Sequence, residues 1–98
     1  MTKNNTRSTT SVDMHVGKRL RTLRREHDLS QSELGKYAGV KYQQIQKYED
    51  GVNRISVSRL WKFCQFFNVR PDYFFVSLAN ADTQQEDVED LCKIKIFL

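Results

Sequence analysis

Apolar residues recur at helical spacing in the first half of this chain. Val16, Leu20 and Leu23 share one helical face, and the basic residues between them point elsewhere. Spacings of three and four residues are typical of an amphipathic helix. The pattern therefore predicts a first helix from Asp13 to about Asp28.

Two short helices are predicted next, joined by a glycine. Ser30 and Glu33 have the spacing of a capping box, so a second helix should begin directly after Ser30. Gly39 suits the left-handed conformation that ends a helix. A third helix is predicted over residues 41–50, and it ends at Gly51.

The third helix is polar for its length. Ile45 and Tyr48 are its apolar pair at helical spacing, so neighbouring helices must hold that edge. The remaining positions carry amide, phenol and ammonium groups that a core does not use. They are Lys41, Tyr42, Gln43, Gln44, Gln46 and Lys47.

A fourth helix should begin after Ser56, which is a suitable N-cap residue. It carries the widest apolar stripe of the chain, made of Val57, Leu60, Phe63, Cys64 and Phe67.

A fifth helix is predicted from Pro71, which suits the first turn of a helix, to about Leu78. Phe74 and Leu78 should point inward, which leaves Phe75 and Val76 as apolar surface for core cover or for a partner.

Both ends of the chain differ from this middle part. Residues 1–11 are polar and should form a flexible tail before a domain over residues 12–78. Residues 79–98 form an acidic extension and a possible dimerisation segment. Within it, residues 92–98 alternate like a short strand, whereas residues 84–96 also fit a helix, and the pattern leaves both open.

Charge separates the extension from the rest of the chain. The net charge is +4, and residues 79–98 hold five acidic and two basic residues, so residues 1–78 carry +7. A basic domain attracts polyanions such as nucleic acid or an anionic membrane.

Other classes of protein fit the sequence poorly. The N-terminus lacks the apolar segment of a signal peptide, and no apolar run is long enough to span a bilayer, so we expect a cytoplasmic protein without membrane contact. Cys64 and Cys92 match no metal spacing. With no set of catalytic residues either, we expect no enzyme, cofactor, metal or small-molecule ligand.

The predicted second and third helices resemble the Cro/cI-type helix-turn-helix family, also named XRE. The motif is met by Leu29-Ser30-Gln31, Leu34, Gly39-Val40, Ile45, Tyr48-Glu49 and Gly51. Two positions depart from it, because Gly35 stands where the family usually has alanine and Lys41 replaces a serine or threonine cap. The resemblance implies an all-α, compact five-helix, lambda-repressor-like DNA-binding domain.

The resemblance also implies roles for individual residues. The third helix would lie in the major groove of double-stranded DNA, with Tyr42, Gln43 and Lys47 as base readers and Lys41 and Gln46 as secondary contacts. Gln31, Arg54 and Arg24 are the candidates for phosphate contacts. Arg24 and Glu49 are expected to form a structural ion pair.

The function expected from this resemblance is a transcriptional regulator of bacterial or phage type, associated with the nucleoid. We expect a repressor that binds a palindromic operator as a homodimer. The alternatives are an antitoxin, a restriction-modification controller, or an adaptor that uses the same fold to bind proteins.

Overall fold

The computed structural model describes residues 8–76, and over this range the fold is all-helical. Our predictions for residues 1–7, for Leu78 and for the acidic extension lie outside the described residues. Four α-helices are followed by one 3-10 helix. They are α1 (Ser11–Glu26), α2 (Gln31–Ala38), α3 (Tyr42–Glu49), α4 (Val57–Phe67) and the 3-10 helix (Pro71–Phe74).

One apolar core joins all five elements. Leu20, Leu34, Ile45 and Phe74 have no exposed surface, and each comes from a different element. From α4, Phe63 is 1% exposed. The buried apolar residues are Val16, Leu20, Leu23, Leu34, Ala38, Ile45, Tyr48, Phe63, Cys64, Phe67 and Phe74.

The signals that begin and end α2 are confirmed. The Ser30 hydroxyl accepts from the Glu33 amide at 3.0 Å, and Glu33 Oε1 accepts from the Ser30 amide at 2.7 Å. Gly39 follows the helix with φ +76°, in the left-handed region. Local interactions therefore fix both ends of α2, and Gly39 begins the turn that leads into α3.

The first helix begins two residues earlier than the periodicity predicted. Thr10 is the N-cap residue, and its amide donates to Asp13 Oδ2 at 2.7 Å. Asp13 thus stands in the first turn of α1, where its charge suits the helix dipole.

The predicted fifth α-helix is wrong over Pro71–Phe74, which form a 3-10 helix instead. Arg19 of α1 explains part of this difference. Its Nε donates to the Tyr73 carbonyl oxygen at 3.1 Å, and its guanidinium lies 3.9 Å from the centre of the Tyr73 ring. These tertiary contacts fix Tyr73 while Phe74 is fully buried beside it.

Val57 is a second correction. The periodicity places it in the apolar stripe of α4, but Val57 is 85% exposed. It is the first residue of the helix, and no element within residues 8–76 covers it. Trp61, one turn later, is also exposed.

Candidate nucleic-acid interface

The outer face of α3 carries all five residues predicted to contact bases. Four of them lie on the helix itself and cover an arc of about 140°, because successive residues are about 100° apart. The opposite side is buried through Ile45, Tyr48 and Glu49. The exposed residues are Lys41, Tyr42, Gln43, Gln46 and Lys47.

Lys41 is the N-cap residue of α3, and its side chain makes no capping hydrogen bond. The predicted loss of a serine or threonine cap is thus visible in the structure. The helix keeps its backbone bonds instead, because the Lys41 carbonyl oxygen accepts from the amide of Gln44 at 2.9 Å. This arrangement leaves the ammonium group of Lys41 exposed at the N-terminus of α3.

Two glycines allow the backbone of α3 and its preceding turn to approach α1 and α2. A Cβ on Gly35 would meet the Val40 carbonyl oxygen at 2.5 Å, so the close approach of that carbonyl depends on a residue without a side chain. Gly17 of α1 is tighter still, since a Cβ there would collide with the carbonyl oxygen of Tyr48. The sequence reasoning missed Gly17, although a glycine inside a helix is itself a signal of close packing.

Glu49 is the central anchor of α3. Its side chain has no exposed surface, yet it carries a carboxylate that must be satisfied inside the protein. Arg24 supplies two donors, from Nε to Oε2 at 2.6 Å and from Nη2 to Oε1 at 3.0 Å. The ion pair implied by the family resemblance is therefore present as a bidentate pair.

Gln31 also bonds to this carboxylate. Its Nε2 donates to Glu49 Oε1 at 3.1 Å, and so one residue at the start of α2 is tied to the end of α3. Arg24 uses its remaining nitrogen, Nη1, to donate to the Leu29 carbonyl oxygen at 2.8 Å. Side chains from α1 and α2 consequently bond to the buried carboxylate of Glu49 on α3.

Arg21 is a member of this cluster that the sequence reasoning did not find. Its Nη2 donates to Asp50 Oδ1 at 2.7 Å, and its Nε lies 3.4 Å from Glu49 Oε1. Arg21 stands one helical turn before Arg24 on α1, so spacing alone could have shown that both face the same neighbour. The cluster thus clamps the C-terminal end of α3 through two arginines.

Arg54 has intramolecular partners in the loop that follows α3. Its Nη2 donates to the Ser8 carbonyl oxygen at 2.6 Å, and its Nε donates to Asp13 Oδ2 at 3.2 Å. The side chain is still 51% exposed. Arg54 therefore joins this loop to the start of α1 and keeps part of its guanidinium at the surface.

Ser30 also stabilises the charged form of Glu33 in the first turn of α2. The hydrogen bond from the Ser30 amide, helped by the Ser30 hydroxyl, lowers the pKa of Glu33 below its ordinary value of 4.5. The charged form of Glu33 is therefore stabilised further, and its carboxylate oxygen accepts from the Ser30 amide at the N-terminus of the helix.

Comparison with known proteins decides what this arrangement is. A model of the helix-turn-helix family matches residues 20–74, which include all of α2, α3 and α4. The chain belongs to the XRE-type helix-turn-helix family. This is a family of DNA-binding transcriptional regulators.

Similar proteins carry related descriptions. An uncharacterized transcriptional regulator in the ATPase CF(0) region of Rhodospirillum rubrum is 44% identical over 86 residues, covering 88% of this chain and 80% of that protein. An uncharacterized regulator of the helix-turn-helix type from Sinorhizobium fredii, y4wC, is 42% identical over 80 residues, or 82% of this chain. This chain spans only 56% of that relative's length.

A solved structure shares the fold over about two thirds of this chain. The restriction-modification controller protein C.AhdI from Aeromonas hydrophila superposes with a TM-score of 0.62 and 26% sequence identity. The match covers 67% of this chain and all of that one.

Neither a membrane-spanning helix nor a metal-binding cluster is found in the part of the chain described. Between residues 8 and 76, no helix is long and apolar enough to cross a membrane. Over the same residues, no three His, Cys, Asp or Glu side chains lie together in a group that could hold a metal ion. Cys64 is buried, and its burial raises the pKa of its thiol.

Proposed function

We propose that this chain is a sequence-specific regulator of transcription that binds double-stranded DNA through the major groove. The observation that carries the proposal is the division of α3 into two sides. Its inner side is fixed by the buried Glu49 cluster, whereas its outer side presents five polar or cationic residues. A fixed helix with an unpaired polar face is what base recognition requires.

The outer residues have the chemistry to read base edges. The amide of Gln43 can accept from and donate to adenine, and Lys47 can donate to guanine. Tyr42, in the first turn of α3, adds a phenol that donates or accepts. We assign base reading to these three residues, with Lys41 and Gln46 as secondary contacts.

Phosphate contacts would hold α3 in register. Gln31 gives one amide hydrogen to Glu49 and keeps a second donor for a phosphate oxygen at the N-terminus of α2. The exposed part of Arg54 offers another donor. Arg24 is only 11% exposed, so we assign it chiefly to the orientation of α3 through Glu49.

A homodimer on a palindromic operator follows from energetics. One helix reads only a few base pairs, and each is worth about 1–3 kcal/mol of discrimination. A single domain therefore competes poorly with the large excess of other genomic sites. Two copies on a two-fold symmetric site would double the number of base pairs that are read. Repression would result because the bound dimer occludes a promoter in the cytoplasm.

Selection of bound sequences from a random duplex pool tests this proposal. We expect an inverted repeat whose half-sites are separated by about one helical turn of DNA, or a multiple of it. An enriched site without symmetry would contradict the homodimer. Failure to enrich any sequence would contradict the proposed function itself.

A further inference from the structure

One apolar groove of the domain is open to solvent on the side where the described residues end. It has a volume of about 140 Å³ and lies between the start of α1, the start of α4 and the residue after the 3-10 helix. Val57 is 85% exposed at its rim, and Val12 and Phe75 are 39% and 36% exposed. The apolar residues that line it are Val12, Val16, Ile55, Val57, Leu60 and Phe75.

We propose that residues 92–98 of the same chain pack into this groove. The segment reads Cys-Lys-Ile-Lys-Ile-Phe-Leu. Packing its apolar side chains against the groove would remove apolar surface of both from water, which is favourable. The polar and acidic residues before it have no comparable affinity for an apolar surface.

The connection favours the same chain over a second copy. Residues 77–91 join the two parts, and fifteen residues can span about 50 Å when extended. Phe75 itself lines the groove, so the distance to be bridged is far shorter. A connection of only fifteen residues gives an effective concentration on the order of millimolar, which a second copy in solution would have to exceed. This inference does not depend on the proposed function.

The native Cys92 allows a direct test by disulfide trapping in the full chain. Val57→Cys places a thiol at the rim of the groove, whereas the control Ser58→Cys places one on the neighbouring exposed residue about 100° around α4. Cys64 is 2% exposed and should not compete. With oxidised glutathione as the oxidant, we expect V57C to close a bond to Cys92 at least about tenfold faster than S58C.

The products distinguish the possible occupants. An intramolecular disulfide that forms at a rate independent of protein concentration, and that Cys92→Ser abolishes, supports the proposal. Covalent dimers as the main product would assign the groove to a second copy and overturn it. Equal rates for V57C and S58C would overturn it as well, because the segment would then not be held at the groove.

A second pair of variants tests whether apolar contacts cause the acceleration. Adding Ile94→Asp and Ile96→Asp to V57C should reduce its rate to that of S58C. Adding Lys93→Asp and Lys95→Asp, which changes as many side chains in the same segment, should leave the faster rate in place. If the two isoleucine substitutions do not slow the reaction, apolar packing is not what brings Cys92 to Val57, and the proposal is wrong.

Discussion

Gly17 of α1 lies directly against the backbone carbonyl of Tyr48 at the end of α3. The Glu49 carbonyl oxygen is also close, at 3.0 Å from the position that a Cβ on Gly17 would occupy. The residue that allows α1 and α3 to meet is thus a glycine inside a helix, where glycine lowers helix propensity. The close approach places Arg21 and Arg24 within reach of the acidic end of α3.

Gly17→Ala should therefore destabilise the domain although alanine is the better helix former. The gain in propensity is about 1 kcal/mol, while forcing a methyl group into a packed contact costs about 1–3 kcal/mol, and here the opposing atoms are backbone. We expect a net loss of stability in urea denaturation. Lys18→Ala, at the exposed neighbouring position, should change stability by less than about 0.5 kcal/mol. Equal effects of the two variants would contradict the packing described.

Glu49→Gln should cost about 3–5 kcal/mol, because it removes the charge that compensates two arginines around a buried site. Asp50→Asn is the matched control, since it removes the same charge from the next residue and also loses a bond to Arg21. That pair is largely exposed, so we expect a loss of at most about 1 kcal/mol. Chemical denaturation measures both, and a similar small loss for the two variants would show that the cluster does not hold α3.

Some of these contacts could be predicted from the sequence and others could not. Arg24 and Glu49 were expected as a pair from the family resemblance, and the caps at Ser30 and Gly39 from local chemistry alone. Gly17 was not found, because periodicity shows which side of a helix is apolar and not which backbone faces it. The packing of Tyr73 against Arg19 could not be predicted either, because these residues are far apart in sequence. Tyr73 lies in the segment that forms a 3-10 helix where an α-helix was predicted.

The lowered pKa of Glu33 predicts a specific dependence on pH. A carboxylate whose pKa is lower in the folded state stabilises the fold above its unfolded value, near 4.5, and this contribution is lost as the pH falls through the lower folded pKa. Ser30→Ala removes the hydroxyl bond and should raise the pKa of Glu33 in an NMR titration. It should also cost about 1 kcal/mol at neutral pH through loss of the cap. Ser32→Ala, on the same helix, should leave the Glu33 titration unchanged.

Arg54→Ala should weaken binding to all duplexes alike and reduce the slope of log affinity against log salt by about one unit. Its exposed part would supply the phosphate contact, while its bonds to Ser8 and Asp13 hold the loop in place. Arg70→Ala removes the same charge from an exposed residue outside the proposed interface. Binding measured over a range of salt concentrations compares the two, and an unchanged slope for Arg54→Ala would exclude it from the phosphate contacts.

The assignment of α3 as the recognition helix can be tested most directly with the double variant Gln43→Ala/Lys47→Ala. Its control, Lys62→Ala/Gln65→Ala, removes the same two residue types from exposed positions of α4. Affinity for the selected operator is compared with affinity for a scrambled duplex of equal length at fixed salt. We predict that the α3 variant loses at least about 30-fold of this discrimination, since each lost base contact is worth about 1–3 kcal/mol. The α4 variant should keep it, and undiminished discrimination in the α3 variant would contradict the account.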